Sequence, residues 1–404
     1  MRKITINQVL KKGRRIEIDY SQVGLEGFLN PGVRPYHEYG CDIESVPDSI
    51  AVIPFLANML PLCFALDAEI ELESIDEAFY NCIDPYREGY QKMIPMIPFG
   101  GKVIAKRIER KEYAPEKNCL LFSGGIDATN SLAVNADQID DCITIWGADI
   151  RDNNEEGWKA MSQTVEDTVT KFKKNWLVVR ANFRACINEG GATKVIAKTG
   201  EDWWLAMQSG IALLSQTAPL AYLNRYKTIF IASSYTKDFN PIDASDPRTD
   251  NCFRCASASA KHDGYEFDRF QKVLNIEKKR QELGVSLCLH VCWQSPSGRN
   301  CGHCEKCLRS YLNCRCVGVD PSNLGFVPSL TMKEIRRFYA HKVWFNPYLL
   351  YFFKQFQFYL SKLDKHDVPS DLKWILRFNP EKTNSSPYWL LKRAYRKARN
   401  AFKR

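Results

Sequence analysis

Asn118-Cys-Leu-Leu-Phe-Ser-Gly-Gly-Ile-Asp-Ala-Thr-Asn130 is the stretch on which the fold turns. An apolar run at 120–122 leads straight into Ser123-Gly124-Gly125, and a helix-like segment follows. Two glycines at such a junction let the backbone curl tightly. Several amide N–H groups can then converge at a helix N-terminus, a concavity that suits an anion. A polyphosphate, and therefore ATP, is the leading ligand.

Outward from this turn, residues 116–325 read as strand and helix in alternation. Apolar strands are expected at 120–122, 142–146, 176–179 and 228–232. Helices are expected at 128–136, at 155–172 (Trp158, Met161, Val165 and Val169 at helical spacing) and at 207–223, bent at Pro219. Short buried strands separated by helices imply an α/β fold, a doubly wound parallel sheet covered on both faces. In such sheets ligands sit beyond the carboxyl ends of the strands, where Ser123-Gly124-Gly125 falls.

Residues 1–115 read as an α+β accessory unit without a catalytic motif. Strand-like alternation occurs at 15–20 and 102–111, and 74–90 looks helical. The apolar stretch 50–66 contains Pro54, Asn58 and Pro61. It falls short of the roughly 20 residues needed to span a bilayer, so a buried helix pair is expected. Residues 326–404 read as a helical C-terminal extension, dense in aromatics at 344–360 and closing in a basic amphipathic helix at 389–404.

The 404 residues are 45% hydrophobic and 25% charged, as in ordinary globular proteins rather than disordered ones. Of the net charge of +9, seven positive charges belong to Lys392, Arg393, Arg396, Lys397, Arg399, Lys403 and Arg404. A nearly neutral body with a basic arm argues against nucleic-acid binding over a broad face. The arm itself suits a nucleic acid, a membrane surface or a partner helix. Fifteen cysteines cluster rather than spread, and Met1-Arg2-Lys3 opens no signal peptide. Reducing cytosol is the expected compartment.

Cys292, Cys301, Cys304 and Cys307 form the second strong pattern, a C-x8-C-x2-C-x2-C knuckle with a strand-like segment at 287–293. Four thiolates close a tetrahedral Zn²⁺ site that is structural, with no open position for a catalytic water. His303 lies inside the knuckle, and an iron–sulfur cluster is the alternative occupant. Cys252-x-x-Cys255 is a second pair, readable as structural or as redox and sulfur chemistry.

Ser123-Gly124-Gly125-Ile126-Asp127-Ala128-Thr129 resembles the PP-loop of the N-type ATP pyrophosphatases, whose pattern is Ser-Gly-Gly-x-Asp-Ser. The knuckle, with Arg309 after its last cysteine, looks like that of the 7-cyano-7-deazaguanine synthase family within them. The resemblance implies cleavage of ATP between the α and β phosphates. A substrate carboxylate or carbonyl oxygen is adenylated, pyrophosphate leaves, and a nitrogen nucleophile captures the adenylate. It makes Ser123 and Asp127 the candidate catalytic residues. Ser123 and Thr129 offer hydroxyls to phosphate, Gly124 and Gly125 offer amides, and Asp127 orients the loop or holds Mg²⁺. Trp146 and Gly147 end the second strand, where adenine is received. Ala128 departs from the family's serine. The unit before the loop and the extension after the knuckle exceed the family's core, which implies a larger, macromolecular acceptor and leaves homodimer formation open. A tRNA-modifying or thiolating enzyme and a non-catalytic nucleotide-binding protein are the rival readings.

Further candidates are the polar loop 233–238, Arg269 and Lys272 as cations for a leaving pyrophosphate, and Trp203 and Trp204 as a stacking pair.

Overall fold

The structure, a computed structural model, describes residues 2–391 except Trp293, Ser386 and Leu390. The basic helix expected at 389–404 lies, from Lys392 onward, outside the described residues.

Eleven strands form one sheet. In chain order they are β1 (Lys3–Lys12), β2 (Arg15–Val23), β3 (Tyr36–Tyr39), β4 (Glu69–Asp76), β5 (Lys102–Glu109), β6 (Lys117–Leu121), β7 (Asp141–Trp146), β8 (Asn175–Ala181), β9 (Tyr226–Ala232), β10 (Arg254–Cys255) and β11 (Ala258–Asp263). Their spatial order is β10-β11-β9-β6-β7-β8-β3-β2-β1-β4-β5. From β11 to β8 every pairing is parallel. The sheet is therefore α/β and mostly parallel at its centre, compatible with a Rossmann-like fold. The chain moves outward from β6 to β7 and β8 on one side, then returns to β9 and β11 on the other. Strand order reverses beside β6, so the crevice such a switch opens lies at Ser123-Gly124-Gly125.

The alternation that buries both faces is visible in β6. Cys119 and Leu121 join the core on one side of the sheet, Leu120 and Phe122 that on the other. The helices Ile126–Val134 and Glu155–Lys171 cover the second face, where Ile126, Leu132, Met161, Val165 and Val169 meet Leu120 and Phe122.

The sheet runs unbroken across the boundary drawn at residue 115. β3 pairs antiparallel with β8, setting His37 against Ala181 and Tyr39 against Val179. The hairpin β1–β2 and the parallel pair β4–β5 extend the sheet further. β4 corrects the helical reading of 74–90, because Ser74, Ile75 and Asp76 end a strand. Its Glu-Ile-Glu-Leu alternation starts at Glu69, and helix follows only at Glu77–Tyr80 and Ile83–Met93. The stretch 50–66 is chiefly one buried helix, Ile53–Leu66, with Pro61 inside it. Asn58 in that helix is satisfied by donating to Pro54 O (2.8 Å) and accepting from Gln208 (3.0 Å). No helix among the described residues is long and apolar enough to cross a membrane.

The long helix expected at 207–223 is three pieces. A π-helical turn spans Trp204–Gln208, followed by Ser209–Ser215 and Ala218–Asn224. The break precedes Pro219 rather than falling on it, because proline belongs in a helix's first turn, where its missing N–H is not needed. The helix Glu305–Cys316, which carries the last knuckle cysteine, is followed by the helices Met332–His341 and Pro347–Ser361. They build a third, aromatic core around Tyr339, Phe345, Phe353 and Phe356.

Candidate functional site

The chain leaves β6 at Phe122 and turns through Gly124, whose φ of +73° is left-handed and suits glycine alone. A Cβ there would stand 3.0 Å from Val165 Cγ2, a tight contact to which that side chain must yield, so it is chiefly the torsion that calls for glycine. Gly125 caps the helix Ile126–Val134, and Ser123 is exposed at the mouth of the turn. The turn is held from outside by His290, whose backbone N–H donates to Gly124 O (2.8 Å). The segment carrying His290 is extended and bonds to residues 323 and 324, but it forms no strand, unlike the expectation for 287–293. Burial pushes the His290 imidazole down to about 4, so it is neutral, and its Nε2 has no hydrogen-bond partner.

Asp127 lies one residue into the helix and meets two cations from the helix Arg269–Leu283. Arg269 reaches its Oδ2 at 2.9 Å and Lys272 its Oδ1 at 2.8 Å. Burial pushes this carboxyl up, but Arg269 and Lys272 outweigh it and bring it down to about 2. Lys272 is 2% exposed, and burial draws its ammonium below the ordinary value against the pull of Asp127. The same two cations donate to the loop after β9, Lys272 to Ser233 O (2.5 Å) and Arg269 to Ser234 O (3.3 Å). The structure thus joins the Ser-Gly-Gly turn, the 233–238 loop, Arg269 and Lys272 in one cluster at the carboxyl ends of β6 and β9. Both oxygens of Asp127 are engaged, so of its two expected roles the geometry favours orienting the loop over holding Mg²⁺.

Other expected contacts fall elsewhere. Ala128 and Thr129 are buried in the helix, and the Thr129 hydroxyl is closed off from solvent and has no partner. Trp146 is stacked on Trp158 (centroids 4.9 Å apart, planes 3° apart) and carries Arg180 at 4.0 Å. Its ring surface is thus already in use. Gly147 has a backbone reason to be glycine, since a Cβ would fall 1.8 Å from Ala181 O on β8. Trp203 is fully buried, and Trp204 pairs with Arg184 (4.1 Å) and Phe183, so neither reaches the turn.

The four knuckle cysteines converge, with all their sulfurs within 4.8 Å of one another. Cys292 and Cys304 are 3.8 Å apart, and Cys301 and Cys307 3.9 Å. Tetrahedral Zn²⁺ with Zn–S of about 2.3 Å requires sulfurs about 3.8 Å apart, so the donor set fits such an ion. Cys304 caps the helix Glu305–Cys316, accepting from Cys307 N, and the hydrogen bonds from Cys307 hold its thiol well below the ordinary value. Cys304 N in turn points at Cys301 Sγ (3.3 Å). Backbone donors aimed at the sulfurs favour thiolates. The cluster could hold a metal such as zinc, and His303 is turned aside to Cys301 O (2.7 Å).

Cys252 and Cys255 stand apart from this cluster. Burial raises both thiols, Cys255 well above its ordinary value, which is the reverse of what a reactive thiol needs. Cys252→Ser should leave any turnover unchanged within about twofold, as a steady-state assay will show.

Sequence reading missed two groups at the site, His290 against the turn and Phe352 against Arg269. His290 and Phe352 carry no local signal, being placed only by the fold.

Comparison with protein-family models, with curated proteins and with solved structures returns no match.

Proposed function

We propose that the chain is an ATP-dependent, AMP- and pyrophosphate-forming ligase of the PP-loop class. It adenylates a carboxylate or carbonyl oxygen for attack by a nitrogen nucleophile, as in the 7-cyano-7-deazaguanine synthase family. One observation carries this reading. A Ser-Gly-Gly turn at the strand-order reversal is underlain by Asp127, Arg269 and Lys272, a carboxylate holding two cations beside a helix N-terminus.

In this reading the turn's amides and Ser123 grip the outer phosphates, and Arg269 and Lys272 receive the charge that develops on departing pyrophosphate. Asp127 keeps both cations aimed until the nucleotide arrives. Mg²⁺, when bound with ATP, adds charge neutralisation at the β and γ phosphates. The knuckle holds zinc as a staple and takes no part in the chemistry. The α+β unit and the helical extension receive an acceptor larger than a free heterocycle. A thiolating activity draws no support from Cys252 and Cys255.

The test is product analysis with α- and γ-labelled ATP in the presence of fractionated metabolites and macromolecules. AMP and pyrophosphate are expected, with transient label on an acceptor, and Ser123→Ala is expected to slow their appearance about tenfold or more. ADP and orthophosphate as products would overturn the reading. Tight ATP binding with no cleavage against any fraction would make the chain a nucleotide-binding protein instead.

A further inference from the structure

An arginine from the knuckle helix and the arginine that holds Asp127 meet at a single aromatic ring. Phe352, buried on the helix Pro347–Ser361, has the Arg309 guanidinium 4.0 Å from its centroid and that of Arg269 at 5.5 Å. Tyr235, from the loop after β9, stacks against the same ring at 5.8 Å. Arg269 is the side chain that holds Asp127, while Arg309 comes from the helix that Cys304 caps. Arg309 follows Cys307 by two positions, so Cys304, Cys307 and this guanidinium share the first turns of one helix.

The charges at this junction do not cancel. Arg269, Lys272 and Arg309 supply three positive charges, and Asp127 and Glu305 at most two negative ones. Glu305 lies 3.1 Å from Arg309 Nε, yet that nitrogen is buried and makes no hydrogen bond. Two guanidiniums drawn to one ring repel each other unless an anion comes between them. A buried guanidinium nitrogen that is ion-paired yet not hydrogen-bonded is incompletely satisfied, and a polyanion arriving beside the guanidinium would add the acceptors it lacks.

We propose that Arg309 is a third anion-binding side chain of the Ser-Gly-Gly site, and that the four-cysteine knuckle positions it there. Its ligand is a polyphosphate, either inorganic pyrophosphate or the corresponding part of a nucleotide. The inference rests on the polyphosphate reading of the turn. It adds that metal at the knuckle supports anion affinity through the helix Glu305–Cys316, and that the C-terminal extension, through Phe352, is part of the binding site.

The test is calorimetric titration of the full chain with inorganic pyrophosphate, with circular dichroism as the control for folding. Arg309→Gln should weaken binding about ten- to hundredfold, as expected for loss of a charged hydrogen-bond donor. Arg309→Lys should fall between, keeping the charge but losing the planar fork. Cys301→Ser should weaken binding by the same factor as Arg309→Gln, and the double variant should be no weaker than either single one. Equal affinity in the parent, Arg309→Gln and Arg309→Lys would overturn the inference and leave Arg309 as a strut between helices. A folded, metal-loaded parent that binds no pyrophosphate would instead remove the polyphosphate reading itself. If Arg309→Gln does not fold, the lysine variant decides, since a strut tolerates it and a bidentate site does not.

Discussion

Exchange of Cys304 for serine should empty the knuckle of metal and lower the stability of the whole chain by about 4 kcal/mol or more, the range that loss of a metal site reaches. Cys304 is the pivot for three reasons. It is buried, its sulfur is 3.8 Å from Cys292 across the site, and it caps the helix Glu305–Cys316 by accepting from Cys307 N. Serine could keep the cap but offers an alkoxide in place of a soft thiolate, a poor exchange for zinc. The damage spreads because that helix belongs to two cores. Cys307 and Cys314 pack with Leu287, Leu289 and Phe326, while Leu308 and Leu312 pack with Tyr339 and Phe353. Metal content by elemental analysis and the urea midpoint are the two readouts. A parent that carries no metal as purified, and a variant with an unchanged midpoint, would show the four thiols to be packing groups only. Cys301 is half-buried at the rim, and its replacement should cost less.

The parts of this molecule legible in its sequence are those where local chemistry decides. Leu120 to Phe122, Cys142 to Trp146 and Thr228 to Ala232 are short apolar runs, and each falls in or beside a parallel strand of the central sheet. The cysteine spacing likewise identifies the cluster, because three of the four ligands share one turn of chain. Strand β11 was not legible. Ala-Ser-Ala-Lys-His-Asp has no β-branched residue, and it becomes a strand because β9 offers it a free edge. The continuity of the sheet through β3 and β8 was also hidden. Tyr-His-Glu-Tyr is four residues long, and its pairing with β8 spans well over a hundred residues of sequence. The site shows the same division. Ser123, Gly124 and Asp127 announce themselves, and Arg269 and Lys272 stand out only as charges. His290 and Phe352 are ordinary residues until tertiary packing brings the first to the turn and the second to Arg269.

Asp127→Asn is expected to have the largest functional effect of any single change at the turn, and a distinct signature in acid. The side chain would keep its shape but lose the charge that holds Arg269 and Lys272. Lys272 is 2% exposed and would be left with Ser233 O as its remaining acceptor, so its ammonium would be buried nearly unpaired. Breaking such a pair from one side costs about 3–5 kcal/mol, less whatever Lys272 recovers by giving up its proton. The acid limb follows from the sign of the shift. The folded-state carboxyl titrates at about 2 against an ordinary 3.8, so the pair's contribution is complete above pH 4 and is lost as pH falls through 2. That gap corresponds to about 2 kcal/mol. Subtracting the asparagine variant's stability from the parent's, in urea melts between pH 2 and 5, removes the other carboxylates and leaves this one. The difference should shrink steadily towards pH 2. In the proposed reaction the released cations would no longer be fixed where pyrophosphate charge develops, and its release should slow about a hundredfold or more. A difference curve flat in pH, with turnover unchanged, would mean that Asp127 neither orients these cations nor serves the nucleotide.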